Sequence, residues 1–153
     1  VSHAEGRGEA VRAARLGARM LAHAPFDEVL SPDDIALLAR TVTWISTLDI
    51  HGWGDADPAF GIAVENVARF HAAGGRVRYG TDMGNGPTPV GLNGRELTAL
   101  SLAGLDTPAL LRALLPDDPV DARDGLVLLP PGEDDIDLHA ARLLTANDIE
   151  ECT

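Results

Sequence analysis

Over residues 1–115, short apolar runs alternate with longer segments of helical periodicity, and this alternation limits the fold more than any other feature of the sequence. The apolar runs predict strands at 20–22, 41–48 and 77–80, with 1–4 in the place of a first strand although it is too short to interpret alone. The segments between and after them predict helices at 9–16, 31–39, 57–73, 93–103 and 107–115. Strand–helix units of about 20 to 35 residues favour a parallel α/β sheet with right-handed crossovers, and four such units make half of an eight-unit barrel.

Local signals support several of these elements. Ser31 stands where an N-cap is expected, Pro32 suits the first helical turn, and the acids that follow favour the positive end of the helix dipole. Gly17 and Gly104 are suitable residues to end two other helices. Trp44 lies inside the third predicted strand, so we expect its side chain in the core.

The charge of the chain excludes some partners. The net charge of −12 argues against nucleic acid, because phosphate binding needs clustered cations. No apolar run is long enough to cross a bilayer, so we expect no membrane partner and a cytoplasmic location. Cys152 is the single cysteine, which fits a reducing compartment. All 12 cationic side chains are arginines, so a mechanism that needs a lysine amine cannot be completed by this chain.

The composition of the sequence changes after Pro116. Residues 1–115 carry 13 acids against 10 arginines, whereas 116–153 carry 11 acids against two. The polar segment 117–124 is typical of a linker, 125–129 predicts a strand, and 138–144 a last strand or helix. The predicted organisation is therefore a domain at 1–115 followed by an acidic linker and a small β region at 116–153.

Three residues suited to metal binding follow predicted strands. His3 ends the first strand, His23 follows the second, and Asp82 follows the fourth. Reactive residues of parallel α/β proteins gather at the carboxyl ends of the strands, so these side chains are expected at one edge. Two imidazoles and a carboxylate suit zinc or a similar divalent ion. Taken singly, each has a simpler interpretation, a hydrogen-bonded histidine or an Asp in a turn.

Several segments together resemble the C-terminal half of the amidohydrolase superfamily, among members similar to imidazolonepropionase and the cyclic amidohydrolases. VSHAEG and RMLAHA resemble its fifth and sixth strands, and VRYGTDMGN its eighth. GLNGRELTALSLAGLDTPALLRALL resembles the stretch that follows, and DGLVLLPPG a strand of the small flanking β domain. The resemblance covers about residues 1–115 and, more weakly, 124–132. It implies half of a (β/α)8 TIM-type barrel with a short remnant of a flanking β domain.

The resemblance also implies a function, a metal-dependent hydrolase of non-peptide carbon–nitrogen bonds in a small molecule. His3 would ligate the metal, most simply zinc, and Asp82 would be both a ligand and the group that carries the proton. His23 would ligate a metal or hydrogen-bond the oxyanion. His51 and Asn85, in loops after the third and fourth strands, are candidates for substrate binding. Arg95 and Glu96 are interpreted as first-turn surface charges of their helix.

Two departures from the family pattern keep other interpretations open. The His-x-His pair of the family's first strand and its bridging lysine do not occur in this sequence. Activity is therefore expected to need a complementary barrel half, and open strand edges predict self-association or pairing with such a half. The alternatives are a non-catalytic half-barrel that serves folding or assembly, and a metal-dependent decarboxylase of the same fold.

Overall fold

A computed structural model describes residues 1–115 and the strand pairs at 127–128 and 142–143. The chain forms two compact units, Val1–Leu114 and Leu115–Thr153. No helix within these described residues is long and apolar enough to cross a membrane.

The first unit is an α/β structure built on a small parallel sheet, which confirms the predicted α/β class with parallel strands. Strands β1 (Met20–Leu21), β2 (Thr43–Ile45) and β3 (Arg76–Arg78) lie side by side in chain order. Leu21 of β1 pairs with Trp44, and Trp44 pairs with Val77 of β3. Ser2 adds a single parallel bridge to Leu21, at the position of the predicted first strand. The sheet has three strands and does not by itself form a barrel.

The helices of the first unit lie where the sequence predicts them, within one or two residues at most ends. The predicted helices are, in chain order, α1 (Glu9–Arg15), α2 (Pro32–Thr41), α3 (Pro58–Ala72), α4 (Gly94–Leu102) and α5 (Thr107–Leu114). A 3-10 helix at Leu48–Ile50, which the sequence did not predict, lies between α2 and α3 in the chain. The caps explain this agreement. The side chains of Ser31, Asp57 and Asn93 accept hydrogen bonds from the first-turn N–H groups of α2, α3 and α4.

The strands are shorter than predicted, most clearly in the 41–48 run. Thr41 is the last residue of α2, where its hydroxyl donates to the Leu37 carbonyl. Leu48 begins the 3-10 helix. Between them only Thr43–Ile45 pairs as a strand, because Thr47 turns the chain out of the sheet with a φ of 45°.

The core lies between the sheet and α3. Trp44 and Phe70 are both fully buried, and their rings stack with centroids 3.8 Å apart and planes 6° from parallel. The prediction that Trp44 is a core residue is therefore confirmed. Gly75 permits the return of the chain toward β3, because a Cβ at that position would lie 2.5 Å from the Phe70 ring. This packing fixes β2 and β3, the strands that lead into the site loops.

In the second unit, β4 (Val127–Leu128) pairs antiparallel with β5 (Arg142–Leu143). β4 falls inside the strand predicted at 125–129, and β5 inside the segment predicted as strand or helix at 138–144. The predicted linker at 117–124 and Cys152 lie outside the described residues.

Candidate functional site

The structure brings two of the three predicted ligands together. His3 follows the Ser2 bridge and His23 follows β1, so both lie at the carboxyl ends of their strands, on the same side of the sheet. His3 Nδ1 and His23 Nε2 lie 3.0 Å apart, and the two rings are almost perpendicular, at 86°. His3 is exposed and His23 is half-buried. Two neighbouring βα units therefore deliver two imidazole nitrogens to one point.

Each imidazole has a second partner on its far side. The Glu5 Oε1 atom lies 2.8 Å from His3 Nε2, and the Thr47 hydroxyl oxygen lies 2.9 Å from His23 Nδ1. The four residues form one continuous chain, from Glu5 through His3 and His23 to Thr47. Outer partners of this kind fix the orientation of a histidine ring and which of its nitrogens carries the proton.

Thr47 holds its place in this chain with an unusual backbone. It follows β2, it is 2% exposed, and its φ of 45° and ψ of 40° lie in the left-handed region. A β-branched residue is a genuine outlier there, and the conformation costs about 1–2 kcal/mol. The N–H of Thr47 donates to the Gly80 carbonyl at 3.1 Å, which ties the end of β2 to the segment after β3. Strain of this kind concentrates at functional sites.

Asp82 lies in the loop after β3, exposed and also left-handed, with a φ of 49°. Its Oδ2 atom accepts a hydrogen bond from Asn85 Nδ2 at 3.0 Å, and its carbonyl accepts the Asn85 N–H. Asn85, which was predicted to bind substrate, is thus a hydrogen-bond partner of Asp82. Burial, followed by the neighbouring His3, lowers the pKa of His23, and the Asp82 charge opposes this without reversing it. The Asp82 carboxylate therefore acts electrostatically on His23.

His51, the other predicted substrate residue, is buried, being only 8% exposed. Its ring lies against Phe26, with centroids 4.3 Å apart. Burial lowers the pKa of His51, more than the carboxylate of Asp57 raises it. The charges of His23 and Glu5 also act on His51, so it lies in the same neighbourhood as the histidine pair.

The histidine pair fits zinc as a two-nitrogen site. Nitrogens that ligate one tetrahedral zinc ion at about 2.0–2.1 Å each stand about 3.3 Å apart. His3 Nδ1 and His23 Nε2, which are in hydrogen-bond contact at 3.0 Å, need to separate only slightly to reach that spacing. Across the part of the chain that the structure describes, no group of three or more His, Cys, Asp or Glu residues could hold a metal ion. Asp82 is thus a neighbour of the pair and does not complete a three-residue cage with it.

A second polar cluster, which the sequence did not predict, lies beside this site. The carboxylate of Asp49, in the 3-10 helix, is 3% exposed and receives two bonds from Arg95, Nε to Oδ1 at 2.7 Å and Nη2 to Oδ2 at 2.9 Å. Asn93 donates to the same carboxylate at 2.7 Å, and its own N–H donates to the Tyr79 hydroxyl. Burial acts to raise the pKa of Asp49, but the bonds from Arg95 and Asn93 outweigh it and lower that pKa.

Glu96 is the central member of this cluster, and its interpretation as a surface charge is wrong. Its side chain is fully buried, and Oε2 accepts the Asp49 N–H at 2.7 Å. Oε1 has no hydrogen-bond partner among the described residues. Burial raises the pKa of Glu96 despite the groups that bond to it. Arg95 is half-exposed but bonds Asp49 in a bidentate manner, so it too is more than a first-turn charge. Glu96 lies four residues before the buried Leu100, and this helical spacing was the feature of the sequence that could have indicated its burial.

The loop that carries Asp82 is attached to the loop after β2. Trp53 Nε1 donates to the Thr88 hydroxyl at 3.3 Å, and that hydroxyl donates to the Asn85 carbonyl. Gly86, with a φ of 56°, is required there because a Cβ would lie 2.4 Å from the Trp53 ring.

Comparison of the chain with protein-family models, curated proteins and solved structures gives no match.

Proposed function

We propose that this chain contributes His3, His23 and Asp82 to the site of a zinc-dependent hydrolase that acts on non-peptide carbon–nitrogen bonds of a small molecule. The observation that carries the proposal is the 3.0 Å separation of His3 Nδ1 and His23 Nε2, two nitrogens delivered by consecutive βα units. Two imidazole nitrogens this close can share one hydrogen or offer both lone pairs to one divalent ion, and the proposal assigns the second use to them when metal is present. The left-handed backbones of Thr47 and Asp82 at the same edge add support.

In this proposal the two histidines bind the metal and Asp82 transfers the proton. His3 and His23 hold the metal, which when bound lowers the pKa of a water molecule toward about 7. Asp82 accepts the proton of the attacking water and later delivers it to the leaving amine, as general base and then general acid. Its exposure leaves the carboxylate free to meet substrate, and Asn85 orients the carboxylate through Oδ2.

We further propose that the three-stranded sheet is a segment of a (β/α)8 barrel. The chain order of the strands, their parallel pairing and the bridge at Ser2 support this proposal, because consecutive units of such a barrel also pair in parallel and in chain order. The remaining ligands and much of the substrate pocket then come from a complementary barrel half or from another copy of the chain. This accounts for the two-nitrogen donor set of the described residues.

Zinc binding tests the proposal directly. We expect titration with zinc to show binding by the native chain, and a loss of affinity of at least about tenfold for His3→Ala and for His23→Ala. His71→Ala is the matched control, because His71 lies late in α3 and outside the cluster. A native chain that retains no zinc, also in the presence of a complementary half, contradicts the proposal, as does equal binding by His3→Ala and His71→Ala.

A second candidate is a non-catalytic half-barrel that serves folding or assembly. It is favoured by the lack of a three-ligand group within residues 1–115. In that case Asp82→Ala leaves every measurable property of the chain unchanged except its local stability. Where the assembled protein is active, released ammonia or a ring-opened amide identifies the hydrolase, whereas released carbon dioxide identifies a decarboxylase.

A further inference from the structure

The hydrogen-bonded chain from Glu5 to Thr47 restricts where its protons can be. A carboxylate can only accept hydrogen bonds. The Glu5 carboxylate 2.8 Å from His3 Nε2 therefore places the hydrogen of a neutral His3 on Nε2. His3 Nδ1, the nitrogen that faces His23, is then a lone pair.

This assignment determines the state of His23. Two lone pairs cannot face each other at 3.0 Å without a positive centre between them. With no cation present, His23 Nε2 must carry the hydrogen and donate it to His3 Nδ1. His23 Nδ1 is then the acceptor, and the Thr47 hydroxyl 2.9 Å away donates to it.

A metal ion between the rings requires the opposite arrangement. Both facing nitrogens then offer lone pairs to the ion, so the single hydrogen of neutral His23 moves to Nδ1. Thr47 must now accept that hydrogen bond. A hydroxyl can serve in both arrangements because it is donor and acceptor at once, whereas a carboxylate or carbonyl oxygen can only accept.

We propose that Thr47 is a positioning residue that supports both tautomers of His23, donating to Nδ1 in the metal-free chain and accepting from Nδ1–H when a cation lies between His3 and His23. The metal-bound half of this inference rests on the proposed function. No proton is gained or lost overall, because the hydrogen of His23 leaves Nε2 and one returns to Nδ1 through solvent. Within Thr47, only the hydroxyl has to rotate.

The surroundings of Thr47 suit this role. The residue is buried, and its N–H is bonded to Gly80 while its backbone leads directly into the 3-10 helix. The hydroxyl oxygen therefore stays in place while its hydrogen turns. The left-handed backbone has no other evident benefit, since glycine would adopt it without cost.

Nitrogen-15 NMR of the histidine rings tests the inference. At about pH 8, above the usual histidine pKa of about 6.5, we expect the Nε2–H tautomer for His23 in the metal-free chain and the Nδ1–H tautomer after addition of zinc alone. His71 is the internal control and should not change. An Nδ1–H tautomer in the metal-free chain overturns the inference, whether or not zinc binds.

Substitutions separate this role from simple packing. Thr47→Val keeps the shape but removes the hydroxyl, and we expect zinc affinity to fall about 10- to 100-fold with a displaced His23 Nδ1 resonance. Thr47→Ser should restore both, and Thr98→Val, at an exposed helical threonine, should change neither. A Thr47→Val chain with native affinity and an unmoved resonance overturns the proposal. If Thr47→Val does not fold, a Thr47→Ser chain that lacks the native tautomers overturns it equally.

A native chain that binds no zinc removes the proposed function and the metal-bound half of the inference with it. The metal-free half is judged separately, by the His23 tautomer and by the Nδ1 resonance in Thr47→Ser. The two failures are therefore distinguishable.

Discussion

At the scale of single residues, the left-handed backbone of Asp82 is a feature that folding does not require. Asp tolerates this region better than most residues, and glycine adopts it without steric cost. Its φ of 49° lies in a loop where three glycines, Gly84, Gly86 and Gly91, also have positive φ. A glycine at position 82 would satisfy the backbone, so the carboxylate itself must be the reason for the aspartate.

Two substitutions at this position test that reasoning. We expect Asp82→Gly to be more stable than Asp82→Ala by about 1 kcal/mol in urea unfolding, because alanine retains the left-handed strain. Both variants should lose the same zinc affinity. An alanine variant as stable as the glycine variant would show that the backbone at position 82 carries no strain.

Glu96 gives a second prediction at this scale, concerning pH. Burial raises the pKa of Glu96, so the folded state holds its proton more tightly than the unfolded state does. The stability that this contributes is complete below the unfolded pKa of 4.5 and is lost as the pH rises through the higher folded pKa. Glu96→Gln removes the titration and keeps an acceptor for the Asp49 N–H. Its free energy of unfolding should therefore increase relative to that of the native chain as the pH rises above 4.5.

The control for this experiment is Glu9→Gln, at an acid whose side chain is 42% exposed on α1. This variant shows what the loss of one surface acid alone does to the free energy of unfolding over the same pH range. A Glu96→Gln chain that loses stability with rising pH in parallel with the native chain would mean that Glu96 titrates normally.

Glu96 also shows why sequence reasoning misplaced a residue. An acid in the first turn of a helix is fully explained by the helix dipole, so the sequence presents nothing unusual. Its burial depends on the 3-10 helix Leu48–Ile50, which lies against α4 from a segment 47 positions earlier in the chain. No local pattern encodes that contact. By contrast, His3 and His23 follow directly from their positions at the ends of parallel strands, and the structure places them together.

At the scale of elements, helices were predictable and strand lengths were not. Caps such as Ser31 and Asn93 are local signals, and the helices begin where those residues stand. β-Branched composition marks where a strand passes but not where pairing stops. In the 41–48 run, pairing ends because Thr47 turns the chain, and a backbone angle of that kind is set by the site around it.

One buried side chain of α3 determines the course of the loop after His23. Asn66 is fully buried, accepts from the Leu30 N–H at 3.0 Å, and donates to the Pro25 and Glu28 carbonyls at 2.9 and 2.8 Å. The same loop supplies the carboxylate of Asp27 to the Gly6 N–H, next to Glu5. Asn66 thus supports the His3 side of the site from beneath.

Removal of this side chain should be costly. Asn66→Ala leaves a buried N–H and two carbonyls without partners, and we expect the free energy of unfolding to fall by about 3 kcal/mol. Glu65→Ala, at the exposed neighbour on the same helix, should stay within about 0.5 kcal/mol of the native chain. Urea unfolding measures both. A loss below about 1 kcal/mol for Asn66→Ala would mean that water replaces all three bonds.

At the scale of the whole molecule, the sheet of the first unit has one covered edge and, among the residues that the structure describes, one open edge. Beside β3, the Tyr79 N–H donates to the Ala113 carbonyl of α5. At the other edge, Ser2 uses both its N–H and its carbonyl to bond β1. The alternate backbone groups of that segment, those of His3 among them, therefore face away from the sheet. Open strand edges recruit further strands, from the same protein or from another.

We therefore expect this chain to self-associate at micromolar concentration, as measured by light scattering after size exclusion. Val1→Lys places a charge on the open edge and should shift the population toward monomer. Val90→Lys is the matched control, because Val1 and Val90 are 85% and 87% exposed and Val90 lies in the Asp82 loop. If Val90→Lys alone dissociates the chain, the contact between copies is made by the Asp82 loop. A native chain that stays monomeric and monodisperse would show that the edge is covered within a single molecule, and would remove the main physical reason for a complementary barrel half.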